Sequence, residues 1–294
     1  MRYPVKLLTR IDELMEADQG KSYREQLYKN LNAATNPVDE DKPFRQYLGA
    51  SVIGGACPRA MWYAFRWTHK EKHPARLQRI FDDGQIKEHS FIALLRMAGV
   101  TVHDKREDGQ QYGMTAVDGH MRGHLDGVVE NVPDAPGAGL AEFKTHNDKL
   151  YGKLKVSGVK ETYYKYYVQT QCYMGAYQLP WALYLGYNKN DSNIYGELIP
   201  YDSKCFAHSI NLAQTIVYLP TPPARCSLDP TSFDCAYCDF KDVCNQTKPV
   251  LINCRTCQAC EVQKIGVVCK VENIVKSYHE QLAGCNLYRR NPCI

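Results

Sequence analysis

Apolar side chains recur along the first hundred residues at three- and four-residue steps, the spacing of one helix face. Leu7, Leu8, Ile11, Leu14 and Met15 predict a helical lead-in over residues 1–45, with a polar break around Asn32 to Pro43. Leu77, Ile80, Phe81, Phe91, Leu94 and Leu95 predict one long helix from Arg76 to Ala98 that carries Glu88 and His89 and ends at Gly99. The pattern then changes. His120 to Glu130 reads as an extended strand, the turn-rich run VPDAPGAG follows, and Leu140 to Thr145 reads as a second strand, so the pair is a candidate hairpin. Glu161 to Gln178 predicts a helix, two strand-like runs surround Asn188 to Ser192, and Ser203 to Leu219 predicts another helix. Past Thr221 no apolar period is long enough to build a core, so the cysteine-rich remainder is expected to need metal to fold. The expected fold class is α/β: a mixed central sheet flanked by helices, plus a small cysteine-rich C-terminal metal-binding segment.

Composition narrows the choice. A chain of 294 residues, 44% hydrophobic, has room for one large domain and a small appendage. Neither a leader-like apolar stretch nor a run of roughly 20 apolar residues is present, so a cytoplasmic protein without a membrane span is expected. The net charge of +4 is compatible with a polyanionic partner but equally with a solvated surface. The 13 cysteines are more informative, because in such a setting they point to metal ligands rather than a disulfide framework. Ten of them fall between Cys226 and Cys293, whereas Cys172 and Cys205 read as core or surface thiols.

The candidate chemistry lies in the hairpin. In a strand, alternate side chains share a face, so Glu142 and Lys144 of AEFKT project together while Phe143 turns into the core. GHLDG places Asp126 on the neighbouring strand between Gly123 and Gly127. Two hard oxygen donors then converge, a donor set suited to Mg²⁺ or Mn²⁺, with a lysine beside them to orient water and stabilise developing negative charge. An E-x-K tripeptide alone is commonly a surface charge pair. Here the order is Glu88 on a helix, Asp126, Glu142-x-Lys144, then Gln169 and Tyr173 at i and i+4 on a following helix, and that ordered set is far less common.

In this order the chain resembles the RecB-like branch of the PD-(D/E)xK nucleases, which includes CRISPR-adaptation and phage nucleases. The matches are Gly84 with Glu88 four residues on, Gly123-x-x-Asp126, Glu142-x-Lys144 and Gln169-x-x-x-Tyr173. The resemblance implies a restriction-endonuclease-like core over residues 46–249, between the lead-in of 1–45 and a cysteine-rich, zinc-binding tail expected over 250–294. It implies a divalent-metal-dependent DNA exonuclease with catalytic residues Glu88, Asp126, Glu142, Lys144, Gln169 and Tyr173, of which Glu88, Asp126 and Glu142 hold Mg²⁺ or Mn²⁺. His89 is the alternative to Glu88. Single- or double-stranded DNA is the expected partner, with a helicase or annealing recombinase beside it, in recombination, repair or genome processing in a bacterial or phage-infected cell. A structure-selective endonuclease on the same core and a non-catalytic nucleic-acid-binding protein are the rival readings.

Two cysteine sets complete the picture. Cys57 together with Cys235-x2-Cys238-x5-Cys244 offers four thiolates, and spacing alone does not choose between zinc and an iron–sulfur cluster. The resemblance, through Cys57 with Arg59 and the late triplet, implies a 4Fe-4S centre; Cys226 is a spare ligand. In the tail, Cys254, Cys257, Cys269 and Cys285 fit a zinc site, with Cys260, His279 and Cys293 as competing donors. Lys149, Lys153, Lys155 and Tyr163 interleave lysine and tyrosine just after the E-x-K strand, a pattern suited to phosphates and bases. Arg59 and Arg66 are further phosphate-contact candidates by resemblance, and tail cations such as Arg255 could also touch phosphate.

Overall fold

Residues Val5–Ala17 (α1) and Lys21–Asn32 (α2) form the two helices of the lead-in. The computed structural model describes residues 3–18, 21–32, 43–70 and 74–294, so the expected polar break over 33–42 lies outside the described residues. The chain continues through β1 (Leu48–Gly49), α3 (Pro58–Phe65), α4 (Ala75–Met97), β2 (Thr101–His103), β3 (Gly113–Ala116), β4 (Met121–His124), β5 (Gly127–Glu130) and β6 (Gly139–His146). Then come α5 (Asp148–Thr162), α6 (Tyr164–Tyr177), β7 (Trp181–Asn188), β8 (Ile194–Pro200) and α7 (Ser203–Tyr218). The cysteine-rich part carries α8 (Phe233–Ala236), α9 (Lys241–Cys244), β9 (Cys260–Gln263), β10 (Gly266–Cys269), β11 (Ile274–Val275) and α10 (Tyr278–Ala283). Two compact units result. The first gathers Met1–Val38, His73–Met114 and His124–Phe206; the second gathers Asp39–Lys72, Thr115–Gly123 and Ala207–Ile294.

The first unit is built on a five-stranded sheet in the order β2-β5-β6-β7-β8. Only β6 and β7 are parallel, with Glu142 opposite Tyr184 and Lys144 opposite Gly186; the other pairs are antiparallel. A parallel pair needs a crossover, and α5 and α6 supply it. One sheet face buries Ala141, Phe143, Leu183 and Leu185 against Leu7 and Ile11 of α1 and Phe91, Ile92 and Leu95 of α4, and the Phe91 and Phe143 rings stack at 5.1 Å. This contact explains both helical apolar stripes. Gly139 must lack a side chain, since a Cβ there would lie 2.2 Å from the Trp181 ring.

Two sequence expectations need correction. The single strand expected over His120 to Glu130 is two strands in different sheets, β4 beside β1 and β3, and β5 beside β2 and β6. The break falls at Leu125 and Asp126: Leu125 is fully buried with its amide on the Tyr112 carbonyl, and the Asp126 carboxylate turns to accept a backbone amide instead of continuing the strand. Likewise the helix expected from Glu161 begins at Tyr164, and a separate helix, α5, precedes it. Asn147 caps α5 by accepting from Leu150 N at 2.9 Å, and Gly158, at φ +72°, kinks it. The Val159 amide there donates to the buried Glu197 carboxylate at 2.8 Å.

In the second unit, the tail is not without regular structure. β9, β10 and β11 form an antiparallel sheet, with Cys260 directly opposite Cys269. The aromatic side of α3 provides apolar contact: Trp62 and Tyr63 are buried, and Trp62 Nε1 donates to the Leu219 carbonyl at 2.8 Å. No helix among the described residues is long and apolar enough to cross a membrane.

Candidate active site and cysteine centres

The break between β4 and β5 and the central position of β6 bring the predicted acidic residues together in the first unit. Asp126 Oδ2 accepts from the Phe143 amide at 2.7 Å, which fixes its carboxylate against the strand bearing Glu142 and Lys144. Glu142 is 0% exposed, and the Lys144 ammonium forms an ion pair with its Oε1. Neither Glu142 oxygen receives a hydrogen bond of ordinary geometry, so most of its acceptor capacity is unused. Glu88, from α4, is half-buried and close enough to Asp126, Lys144 and Glu142 to share their field.

Charge does not balance here. Burial, then the neighbouring Asp126 charge, pushes Glu88 up to about 8. Burial raises Glu142 to about 7 in spite of Lys144, and it raises Asp126 as well. Burial opposes the charge of Lys144, but Glu142 and Asp126 outweigh it and hold the ammonium well above its usual value. Three carboxylates therefore face one ammonium, and the surplus can be neutralised either by protons or by a divalent cation. The hard oxygen donors, with Glu142 Oε2 left without a hydrogen-bond donor, fit Mg²⁺ or Mn²⁺.

Gln169 and Tyr173 reach the same place from α6. Gln169 Nε2 donates to Tyr173 Oη at 3.3 Å, and the Tyr173 hydroxyl, raised first by burial, also feels Glu142, Asp126 and Lys144. Sequence reasoning missed His146. It stands two residues beyond Lys144 on the same strand face, so the alternation that paired Glu142 with Lys144 extends to it. Its Nδ1 lies 3.0 Å from Tyr163 Oη and its Nε2 2.9 Å from Tyr184 Oη. Burial, then Lys144 and Lys189, lowers it to about 4, so the ring is neutral at pH 7 and bridges two tyrosines. Tyr163 is thereby half-buried and tied to His146, whereas Lys149, Lys153 and Lys155 are exposed along α5.

Both cysteine sets also assemble, each in the second unit. Cys57, Cys235, Cys238 and Cys244 line one small cavity, joined by Cys226, whose Sγ lies 3.9 Å from Cys235 Sγ. Arg59 lines the same cavity, with Nε donating to Tyr63 Oη at 3.0 Å and Nη1 to the Pro223 carbonyl at 2.8 Å. Cys254, Cys257, Cys269 and Cys285 line a second cavity of about 180 Å³, joined by Cys260. Thiolate-rich linings of this kind fit tetrathiolate centres. Among the described residues, no three acidic, histidine or cysteine side chains are drawn together as tightly as the ligands of a bound ion. Arg66 and Arg255 correct the expectation of phosphate contacts: each is only 3% exposed, because their guanidiniums pack on the rings of Trp62 and of Trp67 and Phe65.

No known family model matches the chain, and no curated protein matches it. Solved structures similar to it include an alkaline exonuclease from Laribacter hongkongensis, LHK-Exo. In complex with dAMP, LHK-Exo gives a TM-score of 0.42 at 17% identity, covering 58% of this chain and 85% of that one. A second LHK-Exo structure gives 0.40 with the same identity and coverage. The protein SSO0001 gives 0.39 at 17% identity, covering 77% of this chain and 97% of its own.

Proposed function

We propose that this chain is a divalent-metal-dependent nuclease of the PD-(D/E)xK kind, and within that class an exonuclease acting on DNA. The observation that carries the reading is the meeting of Glu88, Asp126 and Glu142 around the single ammonium of Lys144, with Glu142 fully buried, its Oε1 on Lys144 and its Oε2 without a hydrogen-bond donor. A surface charge pair, the bland alternative, would be solvated and would leave no such surplus.

Glu88, Asp126 and Glu142 are the residues that would hold Mg²⁺ or Mn²⁺. When bound, the ion supplies Lewis acidity to the phosphate and lowers the pKa of the attacking water. Asp126 is oriented by the Phe143 amide, so it presents its remaining oxygen without a conformational search. Lys144, held charged by Glu142 and Asp126, orients the attacking water and stabilises negative charge developing on the phosphoryl oxygens. Gln169 and Tyr173 supply hydrogen-bond donors beside the carboxylates. Neutral His146 fixes Tyr163 and Tyr184 behind the lysine, which keeps a second positive charge away from Lys144. Lys149, Lys153 and Lys155 are the groups that would attract the strand. In the second unit, Cys57, Cys235, Cys238 and Cys244 are proposed to hold a 4Fe-4S cluster whose role is structural, with Arg59 tying α3 to the Pro223 segment beside it.

The test is cleavage of linear and covalently closed circular DNA with Mg²⁺ or Mn²⁺, using anaerobically purified protein and its Glu142→Ala variant. Metal-dependent loss of linear DNA alone, absent from the variant, is the expected result. Nicking of circles would replace the exonuclease with an endonuclease, and activity surviving in the variant would remove the catalytic assignment.

A further inference from the structure

Two arginines are buried in the second unit with no carboxylate partner among the described residues: Arg66 reaches Cys260 of the cysteine-rich cavity, and Arg255 follows Cys254 in the chain. Arg255 spends its donors on neutral oxygens: Nε on Gln281 Oε1 at 2.8 Å, Nη1 on the Phe65 carbonyl at 2.8 Å and Nη2 on the Gln46 carbonyl at 2.9 Å. Arg66 Nη2 donates to the Leu219 carbonyl at 3.0 Å, its Nε has no partner, and its Nη1 points at Cys260 Sγ at 3.5 Å. Both guanidiniums are buried, and arginine keeps its charge at neutral pH. Among the described residues no carboxylate pairs with either. A buried cation left without a counter-charge costs several kcal/mol. The acidic group that Arg66 faces is the Cys260 thiol, and Arg255 sits beside Cys254 in the chain.

Position points the same way. Cys260 sits directly opposite Cys269 in the β9–β10 pair, so the two side chains share one sheet face. The 3₁₀ turn Cys254–Thr256 then stacks Cys254 and Cys257 at the same cavity, with the Cys257 amide on the Cys254 carbonyl and the Cys260 amide on the Cys257 carbonyl. These four cysteines are half-buried, whereas Cys285 is exposed, and neither His279 nor Cys293 lines the cavity.

We propose that the tail holds a structural zinc ion on Cys254, Cys257, Cys260 and Cys269, with Arg66 and Arg255 as its buried counter-charges. Cys260 thus replaces Cys285 in the ligand set expected from sequence. Four thiolates on one divalent ion leave a double negative charge, which the two guanidiniums match. The arginines act as partners of the ligands rather than as ligands, as carboxylates do behind metal-bound histidines. The site is independent of nuclease activity, so its test needs no cleavage assay.

Metal content of the full-length protein, with iron and zinc measured separately, decides the matter in the wild type and in Cys260→Ser and Cys285→Ser. The expected result is about one zinc per chain in the wild type, retained in Cys285→Ser and reduced at least about tenfold in Cys260→Ser after a chelator challenge, with iron unchanged in all three. Zinc retained in Cys260→Ser, or lost from Cys285→Ser instead, would overturn the proposal. So would iron in place of zinc at this centre, seen as iron lost on changing Cys260. Because Cys260→Ser can also unfold the tail, Cys260→His is the second arm, purified from cobalt-supplemented growth. The bound cobalt should persist while the sulfur-to-cobalt absorption loses one thiolate's share, and an unchanged spectrum would rule Cys260 out.

Discussion

The two units of this protein bury charge of opposite sign. In the first, three carboxylates meet one lysine; in the second, two buried arginines have no carboxylate partner among the described residues. Folding alone does not reward either arrangement, since unmatched buried charge is destabilising. Each becomes reasonable once the missing partner is supplied, a hard divalent cation for the oxygens and a soft thiolate-bound metal for the guanidiniums. The sign of the surplus, read residue by residue, thus separates a candidate catalytic ion from a structural one.

The contrast can be broken most directly at Glu142. Glu142→Ala should lower metal-dependent cleavage by roughly a thousandfold, the several kcal/mol a metal ligand supplies, with iron and zinc content unchanged. If the variant instead loses iron or zinc, the two regions are not separable as described. Next in size, Arg255→Met should destabilise the holoprotein by about 3–5 kcal/mol in a denaturant titration, because it leaves the thiolate centre with half its counter-charge. A neutral or stabilising result would show that no anion is buried there.

A pure packing change provides the uncharged control. Gly139→Val drives a side chain into the Trp181 ring and should lower stability by about 1–3 kcal/mol in the first unit, without altering the zinc content of the second. Acidity sharpens the comparison further. Glu142 and Glu88 titrate at about 7 and about 8 when folded, above the roughly 4.3 of an unfolded glutamate, so the folded state retains protons that the unfolded chain has lost. Stability without divalent ion should therefore fall as pH rises from about 5 to 8, and the stabilisation gained from added Mn²⁺ should grow over the same range. Melting temperatures at pH 6 and pH 8, with and without Mn²⁺, check this, and no change of sign is expected for Glu142→Gln. The smallest effect belongs to the exposed lysines: Lys153→Glu with Lys155→Glu should weaken DNA binding severalfold and flatten its salt dependence, leaving turnover at saturating DNA about the same.

Much of the first unit was legible because its signals are local. The stripes of α1 and α4 and the β6 alternation follow from periods of 3.6 and 2, whereas the ordered set Glu88, Asp126, Glu142, Lys144, Gln169 and Tyr173 was legible only through its resemblance to a nuclease family. The break at Asp126 was not, since GHLDG reads as continuous strand until the Phe143 amide claims the carboxylate. His146 was missed although its register is the same, because its role depends on Tyr163 and Tyr184 from other elements.

By itself, then, the sequence determined the helices α1, α4 and α7, the face shared by Glu142 and Lys144 and the presence of cysteine groups, all properties of spacing along one chain. Tertiary structure decided which cysteines share a cavity, that Arg66 and Arg255 are interior rather than phosphate-facing, and that Asp39–Lys72 joins the last third of the chain in one unit. The physical reason is that burial and charge balance depend on neighbours distant in sequence: Arg66 and Cys260 stand 194 residues apart along the chain and 3.5 Å apart in space.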